Sequence, residues 1–166
     1  MVELYLVRHA IAVEQGDDWP DDTQRPLTER GKARFADVVR GLRRLDVTLD
    51  AILTSPLVRA RQTADLLVAG LPGKPVVRTV EALGPGHTAG AVMTHASRNV
   101  RASRVAFVGH EPGLGELAAH IIGAQRALAF KKGGVCRIDL GGFSARRPGA
   151  LIWFLPPKIL RQLGGT

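Results

Sequence analysis

Two apolar runs in this chain each end on a histidine. Leu4-Tyr5-Leu6-Val7 leads into Arg8-His9, and Val105-Ala106-Phe107-Val108-Gly109 leads into His110. A guanidinium at the end of a buried strand asks for an anionic partner, because an unpaired buried charge is very costly. A third segment, "TSPLVRARQTA" from Thr54 to Ala64, adds Arg59 and Arg61. Ser55-Pro56 predicts a helix opening there, since proline suits the first helical position. A helix start favours an anion, and arginine presents paired donors that match phosphate oxygens. Each such charge-assisted bond contributes about 1.5–3 kcal/mol. Arg8, His9, Arg59 and His110 together describe a pocket for a dianion beside a nitrogen nucleophile.

Those residues need elements to bring them together. Short apolar, β-branched runs predict strands near 3–7, 50–54, 76–80, 104–109, 135–140 and 150–155. Helices are predicted near 28–45, 57–69, 88–98 and 113–123. The first has Thr28 as its N-cap, with Ala33, Val38, Leu42 and Leu45 at helical spacing. Pro72, Gly73 and Pro75 break the chain after the second helix, and Gly84-Pro85-Gly86 marks a turn before the third. Strands alternating with helices, then two closing strands, predict a three-layer α/β/α sandwich with a mostly parallel central sheet. Ligands bind such sheets beyond the carboxyl ends of the strands. Arg8-His9, Ser55-Pro56 and Gly109-His110-Glu111 all follow predicted strands.

The bulk numbers set the outer bounds. At 166 residues the chain is expected to form one domain, residues 1–166, large enough for a core without staples. No apolar run approaches the roughly 18 residues that span a bilayer, and the start shows no signal peptide. The single cysteine, Cys136, reads as a small buried hydrophobe, which fits a cytoplasmic protein without membrane association. The formal charge of +8 favours anionic partners, but it is dispersed and only 5% of residues are aromatic. That combination argues against nucleic acid, whose single strands need stacking platforms.

The quoted segments, in order "LVRHA", "RPLTERG", "TSPLVRARQTA" and "VGHEPGL", resemble the signatures of the histidine phosphatase superfamily, the phosphoglycerate-mutase-like proteins. The arrangement and length look most like its phosphohistidine phosphatase branch. The resemblance implies a phosphoglycerate-mutase-like fold with His9 as nucleophile and Arg8, Arg59 and His110 clamping the phosphoryl oxygens. It further implies hydrolysis through a phosphohistidine intermediate with no metal and no cofactor. The expected substrate is a phosphorylated protein carrying phosphohistidine. The alternatives are a small phosphomonoester, or a phosphate sensor without turnover. For the proton donor, the resemblance points to Glu81 in "TVEALGPG" or to Glu111 after the late histidine. Glu111 has a second reading as a residue favouring the start of the helix it precedes.

Other polar residues take plainer roles. His120, four residues after Glu116, reads as part of a helix-surface pair, His95 as a residue near a helix end, and His87 as a loop residue. Arg25 and Thr28 are candidates to approach the pocket. Trp19, in an acidic turn-rich loop, is either a rim contact or a packing anchor.

Overall fold

The computed structural model describes residues 1–165. Six strands form one sheet in the order β3-β2-β4-β1-β5-β6: β1 (Val2–Arg8), β2 (Ala51–Thr54), β3 (Val76–Thr79), β4 (Arg104–Gly109), β5 (Val135–Leu140) and β6 (Ala150–Leu155). The first four pair in parallel, while β5 and β6 join antiparallel. β1 is a continuous apolar run because both of its faces are covered. Leu4 and Leu6 point into one core, Tyr5 and Val7 into the other. Fully burying one such leucine contributes about 1.5–3 kcal/mol.

Five helices supply the outer layers: α1 (Glu29–Arg44), α2 (Val58–Gly70), α3 (Ala89–Asn99), α4 (Gly113–Ile122) and α5 (Pro157–Gly164). Core residues of α1, α2 and α5 share one cluster with Tyr5, Ile52 and Ala106, and those of α3 and α4 share another with Leu4, Leu53 and Phe107. The three-layer arrangement is therefore as expected. α1 starts where predicted, with Thr28 Oγ1 accepting from the Gly31 amide at 2.8 Å.

Three local expectations are corrected. Ala33 is exposed, and α1 buries Phe35, Val38, Val39 and Leu42 instead. Pro56 is not in the helix: α2 starts at Val58 with Leu57 as its N-cap. The Ser55 hydroxyl accepts the Leu57 amide at 3.2 Å, so Ser55 organises the approach to the helix. The sequence reading also ended at β6, whereas α5 follows, with Pro157 at its first position. α5 crosses directly over α1 at Gly41. A Cβ there would overlap the Leu160 carbonyl, so only glycine permits the contact.

Candidate active site

The register between β1 and β4 brings the histidines together. Arg8 pairs with Gly109, and the His9 amide donates to the Gly109 carbonyl at 3.1 Å. His9 and His110 thus leave adjacent parallel strands side by side, with ring centroids 5.0 Å apart. Both are buried, at 6% and 8% exposure.

His9 is held in one orientation. Its Nδ1 lies 2.7 Å from the Ala10 carbonyl, which can only accept, so Nδ1 carries the hydrogen and Nε2 keeps its lone pair. Burial pushes the His9 pKa down to about 3, and His110, Arg59 and Arg8 add to the drop against the Ala10 hydrogen bond. The ring is neutral at pH 7, as a nucleophile must be. The loop beyond it is pinned by Thr63, whose Oγ1 accepts the Ala10 amide at 3.0 Å and donates to the Arg59 carbonyl at 2.8 Å. His110 is neutral as well: burial, then Arg59, lowers its pKa to about 4. Its Nε2 lies 2.8 Å from Ser55 Oγ at the end of β2.

The arginines come from different elements. Arg59, 5% exposed on the first turn of α2, donates to the Asp22 carbonyl at 2.8 Å and to Asp22 Oδ2 at 3.1 Å. Asp22 also accepts from Arg25 Nε at 2.8 Å. Burial would raise the Asp22 pKa, but the two guanidiniums outweigh it and hold the carboxyl below the usual range. Arg8 donates to the Phe130 carbonyl at 2.7 Å, and burial lowers its pKa against the pull of Glu111. Three buried polar atoms have no hydrogen-bond partner among the described residues: Arg8 Nε, Arg59 Nε and His110 Nδ1. Buried polar atoms are almost always satisfied, so the orphan Nε–H groups of Arg8 and Arg59, with His110 Nδ1 a third donor in the tautomer that puts the ring hydrogen there, suit an anion with several acceptor oxygens.

The two candidate acids differ. Glu81 begins the short 3-10 turn Glu81–Leu83, just beyond β3; it is exposed, and no hydrogen bond ties its side chain to the four residues. Glu111 is engaged on both oxygens, accepting the Gly115 amide at 2.7 Å and the Phe130 amide at 3.3 Å. It caps the start of α4 and holds the loop whose Phe130 carbonyl receives Arg8. The helix-start reading of Glu111 therefore fits its contacts.

Of the remaining candidates, Arg25 reaches the site through Asp22, and its charge acts on His110. Thr28 is spent on capping α1. His87 is exposed and borders a cavity of about 160 Å³ that His110 also lines. Trp19 is half-buried, its amide donating to the Gly16 carbonyl. His120 is exposed on α4, and His95 lies in the second half of α3. Cys136 is fully buried, and burial raises its thiol to about 12. Sequence reasoning missed Asp22, although its place in the acidic run Asp17 to Asp22 was visible.

A central strand, parallel to β4 and antiparallel to β5, with paired histidines and arginines at its carboxyl edge defines a class, and comparison with known proteins gives the same one. The family model of the histidine phosphatase superfamily (branch 1) matches residues 4–84. An uncharacterized protein of Picosynechococcus sp. is 36% identical over 165 residues, spanning 96% of this chain and 99% of the relative. The chain belongs to the histidine phosphatase superfamily. Among solved structures, the protein histidine phosphatase SixA complexed with tungstate superposes with TM-score 0.85 at 23% identity, over 96% of this chain and 99% of that one. The alpha-ribazole phosphatase from Shigella flexneri superposes with TM-score 0.69 at 19% identity, over 94% and 97%. These likenesses establish the phosphoglycerate-mutase-like fold. Among the described residues no helix is long and apolar enough to cross a membrane.

Proposed function

We propose that this protein is a phosphatase that transfers a phosphoryl group to His9 and then to water, and that its substrate is phosphohistidine on a protein. The observation that carries the reading is the state of His9: neutral, buried, Nδ1 held by Ala10 and Nε2 free beside the unpartnered donors of Arg8, Arg59 and His110. Nε2 attacks phosphorus, the bond to the leaving group breaks, and the leaving group takes up a proton. Water then attacks the phosphohistidine and releases phosphate, returning Nε2 to its starting form. The guanidiniums and His110 bind the non-bridging oxygens, where the charge of a phosphoryl transition state resides.

The assignment of substrate rests on the leaving group. Glu81 is the candidate proton donor and is exposed, which suits an imidazole leaving from nitrogen better than an alkoxide. A cytoplasmic setting and a single domain fit the buried lone thiol and the one continuous sheet. The test is a panel: a phosphohistidine protein against small phosphomonoesters, with the labelled adduct mapped after alkaline quench. A base-stable, acid-labile adduct on His9, with phosphohistidine preferred in kcat/KM, supports the reading. Preference for a small ester overturns the substrate, and phosphate binding without turnover overturns the activity.

A further inference from the structure

Beside the phosphate site lies a second feature that shares only Arg8 with the chemistry above. A groove of about 460 Å³ is lined by Arg8, Arg34, Lys131, Lys132 and Arg161 over an apolar floor that includes Ile11 and Phe35. Its lining contains no carboxylate, and none of Arg34, Lys131, Lys132 or Arg161 forms an ion pair among the described residues. Four unneutralised cations from three separate parts of the chain, α1, the 131–134 turn and α5, repel one another. A ligand that carried several negative charges would relieve that repulsion.

The groove is joined to the nucleophile by backbone as well as by Arg8. Gly133 has φ +81°, and the turn closes with the Gly134 amide donating to the Lys131 carbonyl at 2.8 Å. The Gly133 amide then donates to the carbonyls of both Arg8 and His9 at 3.1 Å. The backbone that carries Lys131 and Lys132 is therefore a turn anchored to Arg8 and His9. The positive charge comes from three separate elements around one groove of about 460 Å³ that no carboxylate lines. That pattern suits an extended segment with several carboxylates better than one compact anion.

We propose that this groove docks an acidic segment of the substrate protein, placing its phosphorylated side chain against Arg8 and His9. The proposal deepens the phosphatase reading and rests on it, but its test reads binding rather than turnover. The ¹⁵N-labelled protein is titrated at low ionic strength with the unphosphorylated peptide Glu-Glu-His-Asp-Glu and with its neutral counterpart Gln-Gln-His-Asn-Gln. The acidic peptide should bind about tenfold more tightly, shifting the amides of Ile11, Arg34, Lys131 to Gly133 and Arg161, and salt should weaken it.

In the triple variant Lys131→Ala/Lys132→Ala/Arg161→Ala the shifts should vanish, while p-nitrophenyl phosphate turnover stays at the wild-type level. Equal affinity for the two peptides, or shifts elsewhere, would overturn the docking site. So would saturation of the groove by tripolyphosphate without response to the acidic peptide, which would make it a subsite for small polyanions. Groove binding in a protein without any phosphatase activity would instead remove the functional reading and leave the docking site standing.

Discussion

Ser55 Oγ and His110 Nε2 lie 2.8 Å apart, a bridge between the ends of β2 and β4. Because Oγ already accepts the Leu57 amide, its own hydrogen is available to Nε2, which would leave the His110 proton on Nδ1. Nδ1 is the unpartnered atom, so the bridge would present a donor where a phosphoryl oxygen needs one. Ser55→Ala is expected to lower kcat/KM about tenfold, the worth of roughly one hydrogen bond. Imidazole ¹⁵N spectra distinguish positioning from general damage: wild-type His110 should show Nδ1–H, and the variant a mixture of tautomers.

His9→Ala should abolish turnover while phosphate still binds, because the three anion donors are untouched. Arg59→Ala should weaken phosphate binding roughly 10- to 100-fold, as loss of a charge-assisted hydrogen bond does, and should reduce kcat as well. Calorimetry with phosphate and single-turnover rates separate the two effects. Near-normal turnover by His9→Ala would remove the covalent mechanism.

Acid should destabilise the fold through both histidines. Their folded pKa values of about 3 and about 4 lie below the ordinary 6.5. Between those values the unfolded chain takes up protons that the buried rings refuse, so stability rises with pH across the window and is lost as pH falls below 6.5. Each full unit below that point costs about 1.4 kcal/mol per ring. Urea midpoints at pH 7 and pH 5 should therefore converge in His9→Gln relative to wild type. An unchanged pH dependence would mean that His9 is not held neutral.

Activity should survive chelators, since the positive charge facing the phosphoryl group comes from guanidiniums. Assays with and without EDTA check this, and loss restored by a divalent ion would refute it.

Glu81 and Glu111 should separate by leaving group. Glu81→Gln is expected to slow small phosphomonoesters about tenfold or more while sparing phosphohistidine, whose imidazole departs without strong acid assistance. Glu111→Gln should slow both, because it loosens the Phe130 loop that positions Arg8. Equal sensitivity of both substrates to Glu81→Gln would favour direct proton donation to each.

The sheet was readable because its central strands are buried on both faces and so stand out as unbroken apolar runs. β3 was readable despite its exposure because prolines and glycines bound it. α5 was missed for a physical reason: it has eight residues, and Pro156-Pro157 reads as a stop until the fold uses the second proline as a start. At the site, Arg8, His9 and His110 follow from strand ends, which sequence periodicity locates. The partners that hold them are another matter. Asp22 reaches Arg59 across 37 positions, Phe130 reaches Arg8 across 122, and Ser55 reaches His110 across 55. Local patterns carry no information on such pairings; tertiary packing creates them.

β1 is flanked by β4 and β5, and neither exists until well over half of the chain has been made. His9 follows directly on β1, a strand that has no neighbour to pair with until residues 104–109 have been made. Residues 1–84 contain β1, β2 and β3, but β2 pairs with β3 and β4, leaving β1 without a hydrogen-bonded partner. Such distant pairings close slowly, because a long loop must be ordered before any contact rewards it. Arg8 and His9 thus precede in the chain both strands, β4 and β5, between which β1 is finally seated.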